Sequence, residues 1–238
     1  MRVRTNHGVR RMAMVAAVML GLVACSSTPS NNGSGGGGGN GPAKVDSEGT
    51  TRMDGSVLQT QIDALPKATL TAAETAGLLQ MREEEKLAHD VYVALYDKWQ
   101  VKTFSNISSA EQTHSDAVKT LLDRYTLSDP AAGNAAGVFT NPDLQSLYTT
   151  LVAQGSTSLV DALTVGAVIE DLDIADLQTL ATASPDIKLV YDNLEKGSRN
   201  HMRAFAKQLT KNGATYTPTH ITQAAYDAII ASGTERGA

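Results

Sequence analysis

Acidic and histidine side chains interrupt the apolar positions of four segments in which hydrophobic residues recur with the spacing of an amphipathic helix. The interrupting residues are, in chain order, Glu85, Glu111, His114, Glu170, Asp173 and His201. Glu111 and His114 are three positions apart, as are Glu170 and Asp173, so each pair lies on one face of a helix. The pattern therefore directs at least one metal-ligating side chain from each of four segments into an apolar interior.

Such a cluster requires a positive countercharge. Burying an unpaired carboxylate costs several kcal/mol, and no Lys or Arg stands on these interior positions. A metal ion is the simplest countercharge, and carboxylate oxygens with imidazole nitrogens suit iron or manganese and, less selectively, zinc. Helical bundles that hold two metals use a Glu from two helices and Glu-x-x-His from two others. The residue types therefore predict a metal site inside a helical bundle.

Four long helices are predicted to carry these residues. The first begins at the capping-box pattern Thr71-Ala72-Ala73-Glu74 and runs to about Trp99. The second runs from about Ser105 to Tyr125, the third begins near Ser158, and the fourth runs from Ser184-Pro185 to Gly213. A Gly- and Ala-rich crossover contains a short helix from Asn141-Pro142 to about Gly155, and a last short helix spans about Thr222 to Ala231.

Length and composition fit one all-α domain. The chain has 238 residues, of which 42% are hydrophobic and only 5% aromatic, and this balance suits helix packing better than a β-sandwich. Residues 69–213 are predicted to form a four-helix bundle and residues 214–238 a tail with a short helix. Residues 47–68 form an approach segment in which the sequence defines no element.

The first 24 residues are predicted to be a lipoprotein signal peptide. A basic start is followed by the apolar run Met12 to Leu22, which is too short for an ordinary membrane span. Leu22-Val23-Ala24-Cys25 resembles the bacterial lipobox, in which Cys25 is lipidated and becomes the mature N-terminus. The alternative is a secretory signal that happens to contain a cysteine. Residues 25–46 include the run Gly35–Gly39 and are predicted to be a flexible tether. We expect an exported protein, anchored to the bacterial cell envelope through lipid on Cys25.

Charge and cysteine usage narrow the function classes further. Residues 1–24 contain four arginines and no acid, which leaves 16 basic and 25 acidic side chains and a net charge of −9 in the remaining chain. This balance argues against nucleic acid as a partner. Cys25 is the only cysteine, so the mature domain has no internal disulfide and no thiolate metal site.

Three motifs resemble rubrerythrins. Glu85-Lys-Leu-Ala88-His-Asp-Val-Tyr92 is similar to their first helix, Phe104 to His114 to their second, and Glu170-Asp-Leu-Asp173 to the Glu-x-x-Glu of their third. Around Glu83–Leu87 and Gly197–His201 the chain most resembles an uncharacterised ferritin-like family of exported bacterial and archaeal proteins. The resemblance covers about Leu70 to Leu209 and implies a ferritin-like four-helix bundle.

The resemblance also implies roles for individual residues. Glu85 and Glu170 would be terminal or shifting ligands and Glu111 would bridge two irons, with manganese or zinc as alternatives. His114 and His201 would each serve one metal, and Tyr92 would hydrogen-bond a ligand carboxylate. Without a four-cysteine rubredoxin module, electrons must come from a separate donor. Ferritin-like domains often form homodimers, so a homodimer is a further expectation.

The fourth helix departs from the rubrerythrin pattern. Ser198 stands where those proteins carry the Glu of Glu-x-x-His, and Glu195 is one turn too early and rotated away from the site. Asp173 is a candidate substitute for the missing carboxylate. The remaining alternatives are an asymmetric site and a site for a single metal.

Several residues retain a purely structural interpretation. Glu83, Glu84 and Glu85 are also compatible with a solvated charge run, with Glu84 as the alternative ligand to Glu85. Asp173 is also compatible with an acidic, solvated helix face. His201 and Tyr92 are also compatible with a histidine and an aromatic residue of the core. His89 is expected to be exposed or to lie just outside the ligands.

The function hypotheses differ in what the site does. The first is a di-metal oxidase or peroxidase, the second iron binding or handling without substrate turnover, and the third a metal-free helical binding module.

Overall fold

The computed structural model describes residues 41–180 and 182–236, so Cys25, the signal peptide and most of the tether lie outside the described residues. The described elements are β1 (Ala43–Val45), β2 (Thr51–Met53), α1 (Gly55–Asp63), α2 (Ala72–Trp99), α3 (Lys102–Tyr125), α4 (Pro142–Gly155), α5 (Leu159–Thr179), α6 (Pro185–Lys211) and α7 (Gln223–Ala231). The fold is all-α, as predicted. Within the described ranges, no helix combines the length and apolarity needed to cross a membrane.

Local capping signals explain where the helices start. Thr71 and Glu74 form a reciprocal capping box at the start of α2, and the Ser158 side chain accepts a hydrogen bond from the Asp161 N–H at the start of α5. The second long helix begins at Lys102, three residues earlier than predicted. Gln100, in the left-handed conformation with φ 54°, ends α2 and allows α3 to start almost immediately.

The four long helices form a bundle in which α2 packs on α3 and α5 packs on α6. Contacts of α2 with α5 and of α3 with α6 close the bundle. The buried apolar side chains separate into two clusters, one including Tyr92, Phe104 and Phe205, the other including Leu121 and Val190. Along α2, α3 and α6, the polar candidate residues come between the members of these two clusters.

The predicted tether ends too late. Ala43–Val45 is not a flexible linker but a strand that pairs antiparallel with Thr51–Met53, with Ala43 opposite Met53. Both of these side chains are buried, and the Asp46 side chain accepts hydrogen bonds from the turn, including one from the Thr50 N–H. Burial of Ala43 and Met53 and closure of this turn therefore order the last residues of the predicted tether. The approach segment likewise contains β2 and α1.

One buried carboxylate of α5 holds the first part of the C-terminal tail. The side chain of Asp171 on α5 accepts hydrogen bonds from the Tyr216 hydroxyl and from the backbone N–H groups of Thr219, His220 and Ile221. Further along, Glu235 forms ion pairs with two arginines of α6. These contacts fasten the segment containing α7 to the bundle.

Candidate metal centre

Glu111 of α3 lies between two histidines. Its Oε2 is 2.7 Å from Nδ1 of His114, one turn later on the same helix, and its Oε1 is 2.8 Å from Nδ1 of His201 on α6. The imidazole rings are stacked, with centroids 5.4 Å apart and 14° between their planes. The ligand atoms of these three buried residues lie within 4.8 Å of one another, close enough to share a metal ion.

Two further glutamates flank this group. Oε2 of Glu85 on α2 is 3.5 Å from Nδ1 of His114, and Oε2 of Glu170 on α5 is 3.7 Å from Nδ1 of His201. Both glutamates are only 2% exposed. The arrangement has two similar halves around Glu111, each formed by one histidine and one outer glutamate.

Tyr92 of α2 makes the kind of contact that the sequence predicted. Its hydroxyl donates a 2.6 Å hydrogen bond to Oε1 of Glu170 and also lies 3.3 Å from the Gly166 carbonyl oxygen. Burial and the nearby carboxylate of Glu170 raise the pKa of Tyr92 well above its usual value, so the hydroxyl keeps its proton. Tyr92 therefore orients Glu170 as a hydrogen-bond donor.

Asp173 and Ser198 are partners. The Ser198 hydroxyl donates a hydrogen bond to Oδ2 of Asp173 and lies 3.0 Å from the Leu194 carbonyl oxygen. Burial and the nearby Glu85 raise the pKa of Asp173 well above its usual value. Ser198 thus occupies the position of the missing fourth-helix glutamate and binds the carboxyl group of Asp173. Asp173 itself lies outside the group of three residues that can share one ion.

The triplet Glu83, Glu84 and Glu85 is not a solvated charge run. All three side chains are buried, at 3%, 8% and 2% exposure. Glu83 accepts hydrogen bonds from the backbone N–H groups that precede α4, and Glu84 accepts one from Gln80. The three carboxylates therefore have separate roles, and Glu85 is the one that contacts the histidine–glutamate group.

Three other acidic or histidine residues lie away from the centre. The Nδ1 of His89 pairs with Asp90, and its side chain is partly exposed. Glu195 pairs with Arg199 and Gln178. The backbone of His220 binds Asp171 in the tail.

The electrostatics fit a bound cation. Burial raises the pKa of Glu85 to about 7 and that of Glu170 to about 6. Burial alone would also raise the pKa of Glu111, but His201 and His114 lower it. Oε1 of Glu85 is buried and accepts no hydrogen bond. A divalent ion would satisfy this oxygen and replace the protons that the outer carboxyl groups otherwise hold.

Stability of the metal-free protein is expected to fall as pH rises from about 5 to 9. Burial opposes protonation of the histidines, yet Glu111 raises the pKa of His114 well above its usual value and that of His201 to about 9. With Glu85 and Glu170 also raised, the folded protein holds more protons than the unfolded chain. Their stabilising contribution is complete below the unfolded pKa values and is lost as pH rises through the folded ones.

A metal ion takes over the role of those protons, so added Zn(II) should raise Tm more at pH 8 than at pH 5.5. Differential scanning calorimetry with and without Zn(II) measures both effects. An equal gain in Tm at the two pH values would contradict the assignment of these carboxyl groups.

Two residues of the centre escaped the sequence analysis. Gly197 of α6 lies against the His114 ring, where an added Cβ would be 2.6 Å from Cε1. Thr51 of β2 meets both histidines, since its carbonyl oxygen is 2.9 Å from Nε2 of His114 and its nitrogen is 3.2 Å from Nε2 of His201. The only prior signal was Gly197 in the stretch around His201 that carried the family resemblance, and no pattern marked Thr51.

A small cavity of about 20 Å³ adjoins the centre. Its apolar walls come mainly from α4 and α5, and its polar lining comes from carboxyl groups. The apolar residues include Leu144, Leu147, Ile169 and Leu172, and the acidic ones are Glu84, Glu85, Glu111, Glu170 and Asp173. A cavity of this size has room for about one water-sized molecule beside the outer carboxylates.

Fold and site together define an all-α bundle protein with a buried carboxylate–histidine centre that can hold metal. Residues 74–233 match a family model described as "Uncharacterized protein domain (DUF2202)", and the chain belongs to this family. It is similar to the uncharacterized protein MJ0754 of Methanocaldococcus jannaschii, with 54% identity over 178 residues that cover 74% of this chain and 96% of the relative.

A crystal structure of the hypothetical protein MJ0754 is also similar to this fold. The TM-score is 0.71 at 54% identity, and the match covers 72% of this chain and 99% of that one.

Proposed function

We propose that this protein is a ferritin-like, rubrerythrin-related di-iron protein that reduces peroxide or dioxygen at the cell envelope. The observation that carries the proposal is the position of Glu111, whose two oxygens each lie within 2.8 Å of a different histidine Nδ1. A carboxylate so placed suits a bridge between two ions. The outer glutamates Glu85 and Glu170 supply one further carboxylate to each half.

Different residues would hold the two irons of such a site. Glu111, His114 and Glu85 would hold one iron, and Glu111, His201 and Glu170 the other. Tyr92 fixes the orientation of Glu170 through its 2.6 Å hydrogen bond. Leu144 and other apolar side chains of the adjoining cavity favour a small uncharged molecule and limit access of water.

Two bound irons would supply the redox chemistry. Their oxidation from Fe(II) to Fe(III) would supply the two electrons needed to convert one hydrogen peroxide and two protons into two waters. Carboxylate oxygens accommodate both oxidation states of iron. An external reductant is needed to restore Fe(II).

Peroxide reactivity is the direct test. The purified protein, reconstituted anaerobically with Fe(II), is expected to contain about two irons per chain by elemental analysis. One equivalent of hydrogen peroxide should oxidise both irons, and an added reductant should allow repeated turnover. Absence of stoichiometric iron, manganese and zinc would favour the metal-free binding module and end the proposal.

A second candidate is binding and oxidation of Fe(II) without a dedicated substrate. It is favoured by the additional carboxyl groups of Glu84 and Asp173 in the cavity lining, because acidic groups attract a divalent cation. Under this alternative, the iron centre would be oxidised by peroxide but an added reductant would not support repeated turnover.

Membrane attachment through Cys25 completes the proposed function. The lipobox-like sequence before Cys25 supports it. The Cys25→Ser protein, expressed in a bacterial host, is expected to lose the membrane association of the wild type, because one cysteine carries the lipid. Equal partition of both proteins into the membrane fraction would contradict the anchor.

A further inference from the structure

The edge of β2 contacts both halves of the centre through a single buried residue. The carbonyl oxygen of Thr51 is 2.9 Å from Nε2 of His114, and its backbone nitrogen is 3.2 Å from Nε2 of His201. A carbonyl only accepts hydrogen bonds and an N–H only donates them. One residue therefore imposes opposite requirements on two stacked imidazoles.

His114 is prepared to bind metal. Because Thr51 offers its Nε2 an acceptor, this nitrogen must carry a proton. Nδ1, which faces Glu111 and Glu85, then has the lone pair available for a metal in the neutral ring. A backbone carbonyl that binds the outer N–H is a usual arrangement for a metal-bound histidine.

His201 is held in the opposite state. Because Thr51 offers its Nε2 a donor, the neutral ring leaves this nitrogen without a proton and carries its proton on Nδ1. Nδ1 lies 2.8 Å from Oε1 of Glu111, but neither atom makes a hydrogen bond in the metal-free protein. To bind metal through Nδ1, His201 would have to move the proton to Nε2, where it would face the Thr51 N–H.

The hairpin of β1 and β2 is fixed by contacts that do not involve the histidines. The Thr51 hydroxyl accepts a 2.8 Å hydrogen bond from the Asn200 side chain, and the Met53 N–H donates one of 2.8 Å to the Thr113 hydroxyl. Thr51 itself is fully buried. Its N–H therefore cannot turn away from His201 without displacement of the strand.

We propose that Thr51 is a positioning residue that makes the two halves of the centre unequal. Its carbonyl prepares His114 to bind metal, while its N–H opposes metal binding by His201. The half formed by His114 and Glu85 loads first, and the half formed by His201 and Glu170 loads only when the Thr51 N–H releases Nε2. The order of loading rests on the proposed metal site, whereas the proton positions do not.

The proton positions are measured in the metal-free protein. Long-range ¹H–¹⁵N spectra at pH 10, assigned with His114→Gln and His201→Gln, report which ring nitrogens carry protons. This pH lies above the pKa of about 9 of His201, so the ring of His201 is neutral. We expect Nε2 of His114 to be protonated and Nε2 of His201 to be unprotonated. A proton on Nε2 of the neutral His201 ring overturns the proposal, as does an unprotonated Nε2 of His114.

The loading order is measured by adding Zn(II) and recording the same kind of spectra at pH 8. The first equivalent is expected to shift Nδ1 of His114, and His201 should respond only to the second. Simultaneous response of both rings in the wild type would contradict the ordered loading.

Two substitutions at position 51 isolate the N–H. Thr51→Pro removes the N–H and the hydroxyl, and proline is tolerated where a strand N–H is outside the ladder. Thr51→Val removes only the hydroxyl and is the matched control. Thr51→Pro should increase the affinity of the second Zn(II) step by about threefold to tenfold, which corresponds to the free energy of one hydrogen bond. Thr51→Val should leave the difference in affinity between the two Zn(II) steps unchanged.

The outcomes separate this proposal from the proposed function. If the difference in affinity between the first and second Zn(II) steps is the same in Thr51→Pro and Thr51→Val, the Thr51 N–H does not set the order of loading. If Thr51→Pro does not fold, the proton positions and loading order of the wild type still decide. If no Zn(II), iron or manganese binds at all, the proposed function fails, while the spectra of the metal-free protein still test the role of Thr51.

Discussion

Replacing Glu111 with glutamine is expected to abolish stoichiometric metal binding. Both oxygens of Glu111 lie within 2.8 Å of histidine nitrogens, and a side-chain amide replaces one oxygen with an NH₂ group and removes the negative charge. Loss of a hydrogen-bonding partner beside a metal ligand already reduces metal affinity by 10- to 100-fold, so loss of the central carboxylate should exceed about 100-fold.

The matched control is Glu195→Gln. Glu195 lies on α6 and pairs with Arg199 away from the centre, so this substitution makes the same chemical change without touching the histidines. Iron content after anaerobic reconstitution and dialysis, together with Zn(II) affinity by chelator competition, compares the proteins. Wild-type metal content in Glu111→Gln would show that this carboxylate is not a ligand.

Replacing Gly197 with alanine is expected to damage the centre while leaving the helix intact. The new Cβ would be 2.6 Å from Cε1 and 3.0 Å from Nε2 of His114, both closer than normal contacts. The ring must move away from Glu111 or from Thr51. Overpacking costs about 1–3 kcal/mol, and the higher helix propensity of alanine returns up to about 1 kcal/mol of this.

Metal affinity should therefore fall by about tenfold or more in Gly197→Ala, with a smaller effect on the free energy of unfolding. Gly55→Ala is the control, since no atom lies within 4 Å of an added Cβ at the start of α1. Zn(II) competition and urea unfolding of both variants measure the two quantities. Unchanged Zn(II) affinity in Gly197→Ala would mean that the His114 position is not critical.

The helices were predictable because their signals are local. Thr71 with Glu74, Ser158 and Thr222 are capping residues that act within one turn, and the structure confirms all three helix starts. The β1–β2 hairpin was not predictable, because three-residue strands are too short to show a periodic pattern. Its position depends on contacts with α3 and α6 that are distant in sequence.

The candidate ligands were found because charged residues at apolar positions stand out in a helix. The same argument did not distinguish the roles of Glu83, Glu84 and Glu85, since helix periodicity does not show that Glu83 would anchor the N-terminus of α4. Nor does it show that Ser198 would bind Asp173. These contacts depend on how neighbouring elements pack, which composition and spacing do not define.

Placement of the polar centre between two apolar clusters has a consequence for unfolding. The long helices pass through one apolar cluster, then the polar centre, then the other apolar cluster. The middle zone, the polar centre, contains carboxyl and imidazole groups that interact favourably with water. Without ions, that zone contributes little hydrophobic stabilisation and separates two smaller cores that share the same helices. If the centre binds ions, we therefore expect them to couple the two ends of the bundle into one cooperative unit, and we expect their removal to favour partial opening at one end.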